Sequence, residues 1–167
     1  GARAWLVATP AEDTEDSVYR LRGLHLLGAM EAVPDAAAQL LAGQRDDGAW
    51  AQRALMKTDA YATGTALAAL IDTGVLKPTD LAFRRGADFL LRTQEKDGSW
   101  EVTSRARQVQ PFFQSGFPHG VNQFISTAAT SWAGYALLRS LPESQERQGR
   151  RYLDDKANLV TEIRSSL

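Results

Sequence analysis

The chain has 167 residues, 44% of them hydrophobic and 23% charged, with a formal net charge of -1 and a sequence pI near 6.2. This composition predicts one folded domain and leaves no excess of Lys and Arg for a phosphate backbone, so nucleic acid is not expected as a partner. The chain has no cysteine, which excludes disulfides, thiolate nucleophiles and Cys-ligated zinc, and no run approaches the ~20 apolar residues of a membrane span.

Helical patterns follow one another in pairs along the chain. In the first pair, acidic residues open a helix over residues 14–29, as the positive end of the helix dipole favours, and a shorter helix runs from Pro34 to Gly43. In the second pair, a helix that is small or apolar on nearly every side stops at Gly74, and this pattern predicts burial by several neighbours. Its partner over residues 81–94 has arginines opposite an apolar stripe, as expected for an outward helix.

The third pair combines a small-residue helix over residues 125–141 with a polar helix that begins at Pro142. Almost no segment alternates with period two, so a sheet is not expected. The sequence therefore predicts an all-α fold of about three α/α-hairpin repeats, with inner and outer layers, in a single domain over residues 1–167. The repeats are placed at residues 14–50, 58–100 and 122–165.

Two short segments recur at a spacing of 50 residues, QRDDGAW at 44–50 and QEKDGSW at 94–100. Both read Gln-x-x-x-Gly-x-Trp. The glycine supplies a positive φ at a helix-ending turn, the glutamine side chain can bond backbone groups, and the indole can be buried against a neighbour. The pattern predicts a structural clasp between adjacent hairpins, and its residues are Gln44, Gly48, Trp50, Gln94, Gly98 and Trp100.

The span RRGADFLLRTQEKDGSW, Arg85 to Trp100, resembles the QW repeat of the squalene and hopene cyclase family. The earlier copy is degenerate, with Gln39 where the family has an aromatic residue. The resemblance covers roughly Thr14 to Leu141 and implies an α/α toroid, in which inner helices ringed by outer ones enclose an apolar cavity. Protein prenyltransferase β subunits and complement-type thioester domains share this architecture. A complete ring has more hairpins, so a longer protein or a homodimer would complete it, or the chain would stand as an open arc.

The resemblance also implies a proton donor, because the family's cyclases use an Asp-x-Asp-Asp run before an inner helix. In the first repeat, the run Asp13-Thr14-Glu15-Asp16 would make Glu15 the acid, with Asp13 and Asp16 as its neighbours. In the second repeat the corresponding place is Met56-Lys57-Thr58-Asp59, which keeps only the final Asp. The alternative is that the carboxylates of the first run cap a helix.

An apolar, terpenoid-like ligand would bind on the concave face. Residues 110–124 carry four of the six phenylalanines, and this loop either packs over the cavity or contacts a ligand. His119 has no evident Ser or carboxylate partner in the sequence. The predicted ligand contacts are Tyr61, Phe112, Phe113, Phe117, His119, Trp132 and Tyr135.

Two functions from different classes follow. One is a cyclase-like repeat domain that binds a terpenoid or other apolar ligand, and such an enzyme would be a terpene cyclase or resemble a prenyltransferase. The other is a non-catalytic scaffold for protein binding or self-association. Neither needs a cofactor or a metal, and the sequence predicts no compartment.

Overall fold

The computed structural model describes residues 1–105 and 113–141. This part of the chain is all-α, with no strand. No helix within it is long and apolar enough to cross a membrane. The helices are α1 (Ala2–Ala8), α2 (Thr14–Leu26), α3 (Val33–Ala42), α4 (Ala60–Asp72), α5 (Leu81–Thr93) and α6 (Gln123–Leu138), with a 3-10 turn at Gly120–Asn122.

Aspartate side chains cap the N-terminal ends of α2 and α4. Asp13 accepts a hydrogen bond from the Asp16 N–H at 3.0 Å, and Asp59 accepts one from the Ala62 N–H at 2.9 Å. Each bond satisfies a backbone donor that has no partner within its own helix. The predicted end of α2 at residue 29 is wrong, because Gly28, with φ 67°, has already turned the chain away from the helix.

The helices form two layers. α4 packs between α2 and α6, while α3 packs on α2 and α5 packs on α4. The inner layer is therefore α2, α4 and α6, and the outer layer is α3 and α5. The sequence did not predict α1, which packs on α2 and places Leu6 against Gly23. Residues 142–165, which include the predicted third outer helix, lie outside the described part of the chain.

Small residues bring the inner helices close together. α4 is buried along most of its length. At Gly64, a Cβ atom would lie only 2.8 Å from the backbone atoms Ala133 N and Trp132 C of α6. The Ala-rich and Gly-rich surface predicted to be buried therefore sets the spacing between α4 and α6.

Candidate functional site

The two Gln-x-x-x-Gly-x-Trp segments, here called the first QW turn (residues 44–50) and the second QW turn (residues 94–100), share one hydrogen-bond pattern. Trp50 Nε1 donates to Leu40 O at 2.7 Å, and Trp100 Nε1 donates to Leu90 O at 2.9 Å. Both indoles are buried. Since carbonyls in the last turn of a helix lack intrahelical donors, each indole ties its turn to the outer helix before it.

Both turns also contact the next inner helix. The Trp50 backbone N–H donates to Thr63 Oγ1 of α4, and the Trp100 N–H donates to Thr130 Oγ1 of α6, each at 3.1 Å. Every QW turn therefore joins an outer helix to the inner helix of the following hairpin.

The two QW turns differ in their contacts with the next outer helix. Gln44 Nε2 donates both to Gly48 O within its turn and to Ala82 O at the start of α5, each at 2.8 Å. Arg85 of α5 donates to two backbone carbonyls of the first QW turn, at 2.8 and 2.9 Å. Gln94 Nε2 makes only the internal bond, to Gly98 O at 2.9 Å, among the described residues. The first QW turn thus holds the next outer helix, while residues 94–98 of the second are exposed.

The predicted acid Glu15 lies in a groove of about 560 Å³ at the N-terminal ends of the inner helices. Tyr61 OH donates to Glu15 Oε1 at 3.1 Å, and Gln52 Nε2 lies 3.5 Å from Glu15 Oε2. Glu15 is partly exposed to solvent. The structure therefore brings together two of the predicted site residues, Glu15 and Tyr61, which are 46 positions apart.

The neighbouring acids have other bonds. Burial raises the pKa of Asp13, but hydrogen bonds from the Asp16 N–H, Gln52 and Arg53 outweigh it and leave that pKa lowered. Asp16 is exposed, and its Oδ2 accepts from the Glu12 N–H at 3.2 Å. Asp13 therefore has the geometry of a helix cap.

The caps also correct the alignment of the two repeats. Asp59 caps α4 as Asp13 caps α2, so Asp59 corresponds to Asp13 and not to Asp16. In this register Glu15 corresponds to Tyr61, and the two equivalent positions on adjacent inner helices contact each other. The sequence comparison was displaced by three residues because it matched the last Asp of each run.

Tyr61 is held in its protonated form. Burial and the adjacent Glu15 carboxylate raise its pKa to about 12, so the phenol remains a hydrogen-bond donor to Glu15 at neutral pH. The guanidinium of Arg105 lies 5.9 Å from the centroid of the Tyr61 ring, and Arg105 also forms an ion pair with Asp59.

Trp132 and Tyr135 do not line the groove beside Glu15. Tyr135 OH donates to Asp72 Oδ1 at 2.6 Å, and Arg22 donates to Asp72 Oδ2 at 2.6 Å. The Arg22 guanidinium lies 4.8 Å from the Trp132 ring centroid. This polar network links all three inner helices. Asp72 lies roughly 16 Å along α4 from Tyr61. The network around Asp72 is therefore separate from the groove that contains Glu15 and Tyr61.

The phenylalanine loop is only partly described. Phe112 lies outside the described residues, Phe113 is 69% exposed, and the Phe117 ring lies 6.3 Å from that of His119. None of the phenylalanines of residues 113–117 lines the groove beside Glu15, whereas Phe124 does. Phe124 was not among the predicted contacts.

His119 has partners that the sequence did not reveal. Its Nε2 lies 2.7 Å from Ser99 Oγ, and its Nδ1 lies 3.9 Å from Glu101 Oε2. Ser99 Oγ also donates to Asp97 Oδ1 at 2.6 Å, so Nε2 is placed to donate to the hydroxyl and not to accept its proton. Ser99 is 4% exposed. The geometry therefore anchors the loop to the second QW turn and does not form a nucleophile and base pair.

In the sequence, Ser99 was the residue that could have indicated the contact with His119. It occupies the position of Ala49 in the first QW turn, and it adds a hydroxyl that the clasp does not require. Within residues 1–105 and 113–141, no cluster of His, Asp and Glu could hold a metal ion.

The fold and these turns define a class, an all-α domain of helical hairpins whose inner and outer helices are joined by repeated Trp turns. No family model matches the chain, and no curated protein matches its sequence. Two solved structures of Escherichia coli alpha-2-macroglobulin are similar to it in fold, at 22% identity over 88% of this chain. One is the native conformation seen by cryo-EM, with a TM-score of 0.54. The other is a crystal structure from domain MG7 to the C-terminus, with a TM-score of 0.55.

The match covers 10% of the first of those chains and 24% of the second. At this identity the likeness concerns the fold, and it agrees with a domain of the α/α-toroid type.

Proposed function

We propose that this chain is a non-catalytic helical-repeat scaffold that binds a further helical hairpin through its second QW turn. The observation that carries the proposal is the contrast between two equivalent glycines. A Cβ at Gly48 would lie 2.6 Å from Arg85 O of the next outer helix, whereas a Cβ at Gly98 has, among the described residues, only a side-chain atom of Gln94 within 4 Å, at 3.9 Å. Within the described part of the chain, an outer helix thus covers the first QW turn and not the second.

The first QW turn indicates what the open one would hold. Its partner supplies a carbonyl from the first turn of a helix, as Ala82 does to Gln44, and a basic residue one turn later, as Arg85 does. α6, which this turn contacts at Thr130, also carries an exposed apolar side chain in Leu138, at 60% exposure. In each copy α5 already binds its own first QW turn through Ala82 O and Arg85, so a second copy must supply another helix. Self-association is the version to test.

The test is sedimentation equilibrium of the wild type and of Gln94→Ala, with Gln114→Ala as the control. Gln114 is also an exposed glutamine, and it makes no side-chain hydrogen bond among the described residues. We expect the wild type to form a reversible dimer. Gln94→Ala should raise the dimer dissociation constant about tenfold, and Gln114→Ala should leave it unchanged. A wild type that stays monomeric at all concentrations, or equal effects of the two substitutions, would reject self-association through this turn.

A second candidate is polyprene cyclisation begun by Glu15, and the Glu15 to Tyr61 hydrogen bond inside the groove favours it. A cyclase must deliver its acid into a water-excluded pocket. The assay is squalene turnover by the wild type and by Glu15→Gln. Cyclisation is supported if the wild type forms product and the variant does not. Equal turnover by both proteins would reject Glu15 as the acid.

A further inference from the structure

We infer that the groove at the N-terminal ends of α2, α4 and α6 is a binding site for a primary alkylammonium, with the cationic nitrogen at Glu15 and the alkyl chain along α6. This site differs from the scaffold surface, because it lies at the inner helices and the second QW turn lies at the end of an outer one. The two proposals can therefore fail separately.

The charge pairing in the groove leaves one carboxylate without a cation. Asp13 pairs with Arg53, at 3.5 Å between Oδ2 and Nε, and Asp59 pairs with Arg105. Glu15 has no basic group within 4 Å among the described residues, and its hydrogen-bond partners are the neutral groups of Tyr61 and Gln52. A ligand that brings one positive charge to this position supplies the cation that Glu15 lacks among the described residues.

A buried amide beside Glu15 selects for a nitrogen that carries hydrogens. Gln52 lines the groove and is only 7% exposed, and its Oε1 accepts no hydrogen bond within the described part of the chain. A buried acceptor without a donor costs free energy, so a ligand N–H that reaches Gln52 Oε1 beside the Glu15 carboxylate removes that cost. A primary ammonium has three such donors, and a quaternary ammonium has none.

The opposite wall is apolar. Ile125, Ala128 and the exposed ring of Phe124 line the groove on α6, with Met56 from the loop before α4. Burial of methylene groups along this wall favours binding of an alkyl chain. The groove therefore fits an amphiphile, in which a cationic nitrogen and an alkyl chain each meet the matching surface.

Isothermal titration with dodecylamine, used below its micelle concentration at neutral pH, tests the proposal. Three other ligands each change one feature of dodecylamine. Dodecanoate has the opposite charge, dodecyltrimethylammonium has no N–H donor, and ethylamine lacks the long alkyl chain. We expect saturable one-to-one binding of dodecylamine, and affinities at least about tenfold weaker for each of the others. Equal binding of dodecanoate, or no saturable binding of dodecylamine, would overturn the assignment.

Two variants localise the site. Glu15→Gln keeps an acceptor for Tyr61 and so preserves the local hydrogen bond, but it should weaken dodecylamine binding by about tenfold or more. Glu95→Gln makes the same change of charge on the exposed second QW turn and should leave the affinity unchanged. Phe124→Ala, at an exposed position, should weaken dodecylamine and not ethylamine. Equal affinities of the wild type and Glu15→Gln would contradict the proposed position of the nitrogen.

Discussion

Ser99 Oγ and His119 Nε2 lie 2.7 Å apart, and this hydrogen bond joins the second QW turn to the loop that precedes α6. His119 has φ 80°, the left-handed region that is unfavourable for a residue with a Cβ. The bond to Ser99 and the proximity of Glu101 hold the histidine in this conformation. The loop is thus fixed at His119 by side-chain contacts, and Gln123 holds its earlier part through bonds with Ser115 N–H and Phe113 O.

Ser99→Ala should release the loop while leaving the helices folded. The substitution removes the two hydrogen bonds of the Ser99 hydroxyl, with Asp97 and His119, so we expect a loss of ~1–3 kcal/mol in the free energy of unfolding. Amide hydrogen exchange should become faster at residues 113–122. The matched control is Ser131→Ala, whose hydroxyl bonds only a carbonyl of its own helix. Unchanged exchange in the loop of Ser99→Ala would show that His119 is held by other contacts.

Trp100→Ala should lower the free energy of unfolding by ~3–5 kcal/mol. The indole is 3% exposed and donates to Leu90 O, so its removal leaves a cavity and takes away the shorter of the two hydrogen bonds to that carbonyl. Chemical denaturation measures the change. Trp5→Ala provides the comparison, because Trp5 is 63% exposed and its loss should cost less than ~0.5 kcal/mol. Similar costs for the two substitutions would be inconsistent with a structural role for Trp100.

Gly48→Ala and Gly98→Ala should differ, although both glycines have nearly the same φ, 88° and 87°. Each alanine incurs a backbone strain of ~1–2 kcal/mol. Only the alanine at position 48 also meets the backbone of Arg85, which should add ~1–3 kcal/mol. The difference between the two denaturation midpoints measures how tightly the first QW turn binds α5. Equal destabilisation would mean that α5 moves away at little cost.

Gly64→Ala should destabilise the contact between α4 and α6 by ~1–3 kcal/mol, despite the better helix propensity of alanine. The new methyl group would meet the backbone of Trp132 and Ala133 at 2.8 Å, and backbone atoms cannot rotate away as a side chain does. Gly134→Ala is the control on α6, where a Cβ finds no atom within 4 Å. That control should be neutral or stabilising by up to ~1 kcal/mol. A neutral Gly64→Ala would argue against the close approach of these helices.

The Tyr61 phenol should ionise near pH 12. Its pKa in the folded protein is raised above the unfolded value of about 10. Because the protonated form is favoured by folding, its stabilising contribution is complete below about pH 10 and disappears as the pH rises through about 12. The ultraviolet titration of phenolate in the wild type minus that in Tyr61→Phe isolates this group. Glu15→Gln should bring the midpoint closer to the ordinary value, and a midpoint near 10 in the wild type would refute the Glu15 contact.

The sequence by itself determined the helical architecture. Helix periodicity, small residues along α4 and paired Trp motifs were enough to predict an all-α fold with inner and outer layers, because these signals depend on residues only a few positions apart. Short or weakly patterned elements carried less information. α1 was not predicted, and the end of α2 was placed three residues late.

Only the tertiary structure decided which side chains meet. Glu15 and Tyr61 share a groove, Tyr135 bonds Asp72 at the end of α4, and Ser99 contacts His119. The register of Asp13 with Asp59 also emerged only from their caps. Helix spacing fixes the face on which a residue lies, but the axial position at which two helices meet depends on close packing, here set by Gly64 between α4 and α6.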